Sequence, residues 1–294
     1  MSVKEYLAAQ TALVDATLDR LVPSESTPPE NIHRAMRYSL FAGGKRVRPI
    51  LCIAAANCIA DSPAGVESAA CSLELIHTYS LIHDDLPALD NDDLRRGRPT
   101  SHKVFGEAMA ILAGDALLTL AFEVLSKLES VGDTAKAALI RELATASGTV
   151  GGMIGGQVHD IEGEGQTPTA TLLERIHRAK TGALLRASVR MGAIYAGASH
   201  SQFDALSDFG EHIGFAFQIV DDILDVTQPS EALGKTAGKD AAQHKITFPA
   251  VYGLEASISM AEKERLAAHM AIEQFGDRAS RLRELADLIV QRTA

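Results

Sequence analysis

Residues 74–102 read ELIHTYSLIHDDLPALDNDDLRRGRPTSH, and this stretch determines how the rest of the chain is interpreted. Its first half carries apolar residues at helical spacing: Leu75, Ile76, Leu81 and Ile82. This periodicity predicts a helix over Glu67–His83. Pro87 lacks a backbone N–H and cannot continue the helix, so we expect the chain to leave it in a bulged turn. The stretch therefore begins as a helix and ends as a loop.

Carboxylates crowd the second half of this stretch. Five of them fall within ten positions: Asp84, Asp85, Asp90, Asp92 and Asp93. Such a cluster repels itself unless a cation neutralises it, which predicts a divalent metal. Oxygen ligands favour Mg²⁺, whose coordination is typically completed by water and substrate phosphate. Arginines suited to phosphate follow at once, and they indicate a diphosphate site: Arg95, Arg96 and Arg98.

The composition of the whole chain favours a large helical core. Of its 294 residues, 46% are hydrophobic, 5% aromatic and 22% charged. Neither a β-branched alternation nor a βαβ rhythm occurs, so we predict an all-α protein. No linker divides the sequence, and we expect one domain over residues 1–294. The net charge of −10 argues against nucleic-acid and anionic membrane partners.

Cysteine usage and hydropathy bear on the compartment. The chain has three cysteines and no CxxC pair, which is typical of buried thiols in a reducing environment. Charged residues within Met1–Asp15 do not fit a signal peptide, and we expect no apolar run of membrane-spanning length. These features predict a cytoplasmic protein without stable membrane insertion.

A glycine-rich basic turn lies upstream of the acidic stretch, at a predicted helix start: Gly43, Gly44, Lys45, Arg46, Val47, Arg48 and Pro49. Backbone amides and cations concentrated there attract an anion, although a solvated basic helix end explains the same pattern. His77 lies seven residues before Asp84, so the two share a face of the helix. A substrate contact and an ordinary core or surface role both stay open for His77.

A second acidic set lies in an apolar helix predicted over Phe203–Val226. Its polar members share one face by i, i+3 and i+4 spacing: Gln218, Asp221 or Asp222, and Asp225. Acids inside so apolar a helix are difficult to explain as solvated surface. We therefore expect this second set to bind metal as well.

Lys180 and Thr181 lie in another apolar helix, predicted over Thr171–Tyr195. A lysine in such a setting is costly unless it meets an anion. Between this helix and the preceding one, the acidic, turn-rich composition predicts an exposed loop over Asp160–Thr171.

Glycine-rich segments lie on both sides of that helix. Glycines within 151–156 end a helix predicted over Thr134–Ile154, and they indicate close helix packing. The segment Pro229–Pro249 combines glycines with lysines, and we expect it to act as a lid that brings Lys235 onto a bound phosphate.

Together these motifs resemble those of the trans-prenyl diphosphate synthase family, and specifically its bacterial farnesyl diphosphate (geranyltranstransferase) type. The resemblance covers nearly the whole chain. It rests on the basic turn, on two aspartate-rich motifs and on residues between them: 43–49, 84–90 with Arg95-Arg96-Gly97, Lys180-Thr181, Phe217-Gln218 and 221–225. One DDxxD motif alone is weak, but two in this order beside these cations are highly specific.

The resemblance implies an all-α isoprenoid synthase bundle around a deep central cavity, usually homodimeric, with the aspartate motifs facing each other. The implied metal ligands are Asp84, Asp85, Asp90, Asp221, Asp222 and Asp225. The implied allylic diphosphate contacts are Arg95, Lys180, Thr181, Gln218 and Lys235. The implied isopentenyl diphosphate contacts are Lys45, Arg48, His77 and Arg96. The catalytic set would be Asp84, Asp90, Lys180 and Asp221.

The implied reaction condenses isopentenyl diphosphate with dimethylallyl and geranyl diphosphate to (2E,6E)-farnesyl diphosphate. About two or three Mg²⁺ ions, replaceable by Mn²⁺, would assist ionisation of the allylic substrate. In this family a large aromatic residue before the first motif limits product length. Tyr79 and Ser80 lie roughly 6–8 Å below Asp84 along the helix, which suggests a C15 product. At the C-terminus, Arg292 is the basic residue left to close over the second substrate.

Other functions stay open. A geranylgeranyl or geranyl diphosphate synthase would share these motifs and differ in product length. A non-catalytic partner subunit of a prenyl synthase would have degraded aspartate motifs, whereas both are complete. The pair His83-Asp84 suggests an HD-type metal phosphohydrolase, which needs further histidine ligands. A terpene cyclase would leave the turn at Lys45 without a second diphosphate to bind.

Overall fold

A computed structural model describes residues 1–228 and 246–291, and nearly all of their regular structure is helical. The helices are α1 (Val3–Leu21), α2 (Glu30–Leu40), α3 (Val47–Ile59), α4 (Val66–Asp84), α5 (Ser101–Phe105), α6 (Glu107–Ser126), α7 (Asp133–Ser147), α8 (Met153–Gly163), α9 (Ala170–His177), α10 (Ala183–Tyr195), α11 (His200–Thr227), α12 (Phe248–Tyr252), α13 (Leu254–Ala271) and α14 (Ser280–Gln291). A π-helix (Arg178–Gly182) joins α9 to α10, and a 3₁₀-helix (Glu273–Ala279) precedes α14. The two-residue strands β1 (Leu94–Arg95) and β2 (Arg98–Pro99) pair antiparallel. The all-α prediction is confirmed.

Local sequence fixes where two of the longest helices begin. Ser2 and Glu5 form a capping box at α1, in which the Glu5 carboxylate accepts from the Ser2 N–H at 2.8 Å. Ser199 and Gln202 form the same arrangement at α11. Each box satisfies backbone N–H groups that the first helical turn leaves without partners. Because α11 carries the second aspartate motif, its box also fixes where that motif falls along the helix.

The residues divide into two compact units, of which the first comprises Met1–Ile50 and Ala64–Ile140. Its centre is α4, which packs against α1, α2 and α6. The side chains of Leu73, Leu75 and Ile76 are completely buried. The first aspartate motif therefore begins at the end of a helix that the core holds rigidly.

The second unit comprises Leu51–Pro63 and Arg141–Ala294, less the residues that the structure does not describe. Its centre is α11, which packs against α10 and α13. A hydrophobic cluster surrounds the second aspartate motif and includes Phe215, Ile219 and Phe248. This cluster explains why acids can interrupt so apolar a helix without unfolding it.

Two predicted boundaries around the glycine-rich segment are wrong. The helix predicted over Thr134–Ile154 ends at Ser147, and α8 starts only at Met153. Gly151 lies between them with φ of +68°, a conformation that favours glycine. Helix α8 continues to Gly163, so Asp160 lies in this helix and not in the exposed loop predicted over Asp160–Thr171.

The expectation that no apolar run reaches membrane-spanning length is wrong for α6. This helix has 20 residues, and its most apolar window has a mean hydropathy of 1.8 and is 39% buried. Ile111 and Leu112 are among its exposed side chains, at 44% and 50%. A single such helix is weak evidence for a membrane span, because core helices of other proteins share its length and composition.

Candidate active site

The first aspartate motif forms the bulged turn that Pro87 predicts. The Asp90 N–H donates to the Asp84 carbonyl at 2.8 Å, and the Asp92 N–H donates to the Asp85 carbonyl at 3.2 Å. These bonds fold the chain back on the end of α4. Asp84 and Asp90 are partly buried and are joined through their backbones, which brings the two predicted metal ligands to one turn.

Within this turn Asp85 is committed to Arg95. Its Oδ1 accepts from Arg95 Nε at 2.7 Å and lies 2.6 Å from Nη2. Asp85 is only 4% exposed, and burial raises the pKa of its carboxyl although Arg95 opposes the change. The hairpin β1–β2 presents Arg95, so it ties the predicted phosphate-binding arginines to the acidic turn.

The basic turn is anchored by Arg46, which the sequence alone predicts only as one of several cations that attract an anion. Its side chain is buried and forms ion pairs of 2.8 Å with both Asp15 and Glu74. It also donates to the Leu40 carbonyl at 2.8 Å. These contacts tie the turn to α1, α2 and α4. One part of this network is predictable from the sequence. Glu74 lies in an apolar helix, and a glutamate there needs a cation.

The predicted isopentenyl diphosphate residues Arg48, His77 and Arg96 lie near one another in the first unit. Burial lowers the pKa of His77 well below its usual value, and the charges of Arg48 and Arg96 lower it further. The Arg96 guanidinium also lies against Gly44, since a Cβ at Gly44 would come 2.8 Å from its Nη1. Lys45 is exposed at the same turn. With its pKa lowered in this way, His77 is a neutral histidine that lies among several cations.

In the second unit, Lys180 meets an anion as its apolar setting requires, but the anion is a protein carboxylate. Lys180 Nζ donates to Asp160 Oδ2 at 2.6 Å. The composition around Asp160 predicts a loop, so this pair is not predictable from the sequence. Lys180 and Thr181 lie in the π-helix, a form that often occurs at functional sites.

Hydrogen bonds connect that π-helix with the second aspartate motif. Thr181 donates to the Gln218 side-chain oxygen at 2.8 Å, and Gln218 Nε2 donates to Asp222 Oδ1 at 2.7 Å. The Phe248 N–H donates to Asp222 Oδ2 at 2.9 Å. His177, whose pKa burial lowers to about 4, stacks on the Phe248 ring. Asp222 is thus engaged by protein donors on both oxygens.

The other predicted residues are placed as follows. Asp221 is partly buried and Asp225 is 5% exposed, both on α11. Tyr79 is buried on α4, with its ring edge-on to His83 at a centroid distance of 5.7 Å, and Ser80 is partly buried beside it. Lys235 and Arg292 lie outside the described residues.

The predicted ligands fit Mg²⁺ by their chemistry. Within 1–228 and 246–291, no three His, Cys, Asp or Glu side chains are grouped as a metal cage. Mg²⁺ instead takes one or two carboxylates and completes its octahedron with water and substrate phosphates. The all-carboxylate donors at the two motifs therefore suit Mg²⁺ bound together with a diphosphate.

An all-α fold with these two aspartate motifs defines the class of trans-prenyl diphosphate synthases. Residues 29–288 match the polyprenyl synthetase family, and the chain belongs to it. This membership confirms the resemblance on which the sequence analysis relied.

Relatives of known name carry the names of different prenyl diphosphate products. A farnesyl diphosphate synthase of Geobacillus stearothermophilus is 47% identical, covering 93% of this chain and 91% of that protein. Heterodimeric geranylgeranyl pyrophosphate synthase large subunit 1 of Arabidopsis thaliana is 49% identical, with coverages of 98% and 78%. The crystal structure of an FPP/GFPP synthase from Zymomonas mobilis has a TM-score of 0.86 and 37% identity, covering 98% of each chain. The chain is similar to each of these.

Proposed function

We propose that the protein is a farnesyl diphosphate synthase, which condenses isopentenyl diphosphate first with dimethylallyl and then with geranyl diphosphate. The observation that carries this proposal is the pairing, within the first unit, of an acidic turn at Asp84–Asp90 with a separate cluster of cations around His77. An acidic turn suits a metal-bound diphosphate, whereas the cation cluster suits a diphosphate held by side chains alone. Two diphosphates are what a condensation of two prenyl substrates requires.

The roles proposed for individual residues follow from their charges. Asp84, Asp90 and Asp221 hold Mg²⁺, while Asp85, Asp222 and Asp225 support these ligands directly or through water. In the first unit Arg95 binds the allylic diphosphate, and Lys45, Arg48, His77 and Arg96 bind isopentenyl diphosphate. In the second unit Lys180, Thr181 and Gln218 bind the allylic diphosphate, as does Lys235 from outside the described residues.

These charges account for the chemistry. Bound Mg²⁺, with Mn²⁺ as a substitute, would neutralise the negative charge that develops on the leaving diphosphate. Arg95 holds that group as the allylic C1–O bond breaks and its electron pair leaves with the diphosphate. The double bond of isopentenyl diphosphate attacks C1, and loss of one proton to the departing diphosphate restores an alkene. Apolar walls exclude the water that would quench the cation.

Tyr79 supports a C15 product, because its buried ring lies on α4 below Asp84, where a growing prenyl chain would pass. A geranylgeranyl diphosphate synthase is the second candidate. It is favoured by the Arabidopsis relatives that carry this name and are 49% and 51% identical. The two candidates share every proposed ligand and differ only in the depth available to the product.

We also propose a cytoplasmic homodimer. The exposed apolar face of α6 supports dimerisation, because a second copy would remove Ile111 and Leu112 from water. The three cysteines are buried free thiols, which supports a reducing compartment.

The test is a product assay with purified protein, labelled isopentenyl diphosphate, dimethylallyl diphosphate and Mg²⁺, followed by mass spectrometry of the dephosphorylated products. We expect a dominant C15 alcohol that disappears with EDTA and returns with Mg²⁺. Asp84→Ala and Asp221→Ala should each lower the rate about 100-fold or more. The matched control is Asp204→Ala, because Asp204 also lies on α11 but is 57% exposed and belongs to neither motif.

Other outcomes contradict different parts of the proposal. A dominant C20 alcohol would establish the second candidate. Absence of any condensation would favour a non-catalytic partner subunit. Equal loss of activity in Asp204→Ala would mean that the aspartate motifs have no special role.

A further inference from the structure

A cavity of about 340 Å³ lies within the second unit. Residues of α8, α9, the π-helix, α10 and α11 line it, together with Gly151 just before α8. Its volume falls in the range of small-molecule sites, about 300–1,000 Å³. None of the residues that line it is among the proposed metal or diphosphate contacts. It is therefore a separate concavity.

The rim of the cavity carries more positive than negative charge. Arg175, Arg178 and Arg186 line it together with one carboxylate, that of Glu211. Glu211 forms an ion pair with Arg178 and a looser one, at 3.8 Å, with Arg186. Arg175 has no ion-pair partner among residues 1–228 and 246–291. Arg178 also lies 3.8 Å from a carboxylate oxygen of Glu174, so two carboxylates face three guanidinium groups and the rim still favours an anion.

The inner wall of the same cavity is apolar. Phe215 forms part of it, and the Arg178 guanidinium lies over the Phe215 ring at 4.7 Å from the centroid. Gly182 and its alanine neighbours complete this wall without polar side chains. Guanidinium groups beside an aromatic and aliphatic wall suit a ligand with an anionic head and an apolar body. A bare inorganic anion would leave the apolar wall unused.

The cavity also shares a structural element with the proposed active site. Three of the five π-helix residues line it, while the other two are Lys180 and Thr181. The π-helix packs tightly against α8, because a Cβ at Gly156 would lie 2.2 Å from Lys180 N. On its other side, a Cβ at Gly214 would lie 3.0 Å from Gly182 Cα. A ligand that shifts this turn therefore shifts the backbone of Lys180.

We propose that this cavity is a regulatory site for an amphipathic phosphate ester, one that joins a phosphate head to a short apolar chain. The phosphate contacts Arg175 and Arg186, and the chain packs on Phe215 and Gly182. Occupancy alters how Lys180 and Thr181 meet the allylic diphosphate, and this effect rests on the function proposed above. Binding itself does not depend on that function.

Binding is tested on the full chain in EDTA, which removes the metal that the proposed catalytic site needs. The probe is radiolabelled geranyl monophosphate in equilibrium dialysis, with inorganic phosphate and geraniol as separate competitors. We expect one saturable site per chain, and neither competitor at equal concentration should displace the probe. Arg175→Glu should weaken binding about tenfold or more, since it removes one cation and adds an anion.

The matched control is Arg141→Ala, because Arg141 is an exposed arginine of the same unit and does not line the cavity. Its affinity for the probe should equal that of the wild type. The second variant is Ala183→Phe, whose ring would fill the space beside the apolar wall. It should abolish saturable binding. Equal affinity in the wild type, Arg175→Glu and Ala183→Phe would overturn the proposal. Displacement by inorganic phosphate alone would also overturn it.

Regulation has its own readout. In the condensation assay with Mg²⁺, the probe should change the KM for allylic diphosphate several-fold in the wild type, and clearly less in Arg175→Glu. An equal change of this KM in the wild type and in Arg175→Glu would show that the probe acts only at the catalytic site. A wild type without condensation would refute the proposed function, whereas the dialysis result would still decide the cavity.

Discussion

Asp221 and Asp222 are neighbours in sequence but differ in their surroundings. Asp222 is 2% exposed and accepts hydrogen bonds from Gln218 and from the Phe248 N–H, whereas Asp221 is only partly buried. Because Asp222 is buried and accepts hydrogen bonds from protein donors, we expect it to have a positioning role. Asp221 is more accessible, which favours metal binding by its carboxylate. We therefore propose that Asp222 supports the motif while Asp221 coordinates the metal.

This division predicts that two conservative changes affect different properties, one the stability and the other the condensation rate. Asp222→Asn should lower the free energy of unfolding by about 1–3 kcal/mol, because one buried donor loses its acceptor. Asp221→Asn should leave stability nearly unchanged and lower the condensation rate about 100-fold. Denaturant unfolding and initial rates on both variants measure this. Equal stability of the two variants would refute a positioning role for Asp222.

Tyr79 gives the second prediction at this scale, on product length. Tyr79→Ala should shift the product from C15 toward C20 or longer, because it removes a buried ring below Asp84. Ser80→Phe should shorten the product for the opposite reason. Product alcohols are sized by mass spectrometry, with Tyr79→Phe as the control that keeps the ring. Unchanged products in both Tyr79→Ala and Ser80→Phe would exclude Tyr79 as the floor.

Sequence predicted single residues well where chemistry left few choices. A lysine in an apolar helix had to meet an anion, and Lys180 does so. The identity of that anion was not predictable, because Asp160 is 20 positions away and its segment has the composition of a loop. Long-range partners depend on how helices pack, which local patterns do not specify.

Among the elements, the basic turn depends on a buried ion-pair network. Arg46 ties it to Asp15 and Glu74, and its own φ of +48° makes the turn unusual. The exposed neighbour Lys45 then projects from a fixed backbone. The turn is therefore rigid, although its composition alone also fits a solvated helix end.

Two variants of the turn separate rigidity from charge. Arg46→Met should lower stability by about 3–5 kcal/mol, because it leaves Glu74 buried without its cation, and should raise the KM for isopentenyl diphosphate. Lys45→Ala should raise the same KM while stability stays unchanged. Chemical denaturation and steady-state kinetics distinguish them. A fully stable Arg46→Met variant would show that the network does not hold the turn.

Helix boundaries were predictable where capping residues mark them. Helix α1 starts directly after Ser2, and its start carries the Ser2–Glu5 capping box, a pattern that is visible in the sequence. The π-helix was not predictable, because five residues with one wider turn leave no periodicity of their own. The interruption at 148–152 was missed because its glycines fit close helix packing equally well.

For the whole molecule, the exposed face of α6 predicts self-association. Leu112→Glu should convert a dimer to a monomer, because it places a charge on a face that the second copy would cover. Size-exclusion chromatography with light scattering measures the mass. Leu13→Glu on α1 is the control, since Leu13 is also exposed, at 40%. A wild-type monomer, or equal masses for both variants, would contradict the homodimer.

The class of the molecule was predictable because two aspartate motifs and a basic turn in fixed order are specific, and composition excluded a sheet. What composition did not reveal was how much of α6 is exposed. An apolar helix has the same residues whether it is covered by its own chain, by a second copy or by lipid. Burial is a property of the packed structure.

The π-helix has a consequence for tolerated changes in length. Each residue of an α-helix advances the chain by about 100° around the axis. The wider π-turn holds one residue more than an α-helical turn, so removing one residue between His177 and Ala183 would restore a regular α-helix and keep the packed faces of α10 in phase with α9. Removing a second residue would instead rotate α10 by about 100° relative to α9 and turn its packed face away from α11. The turn therefore tolerates the loss of one residue but not of two.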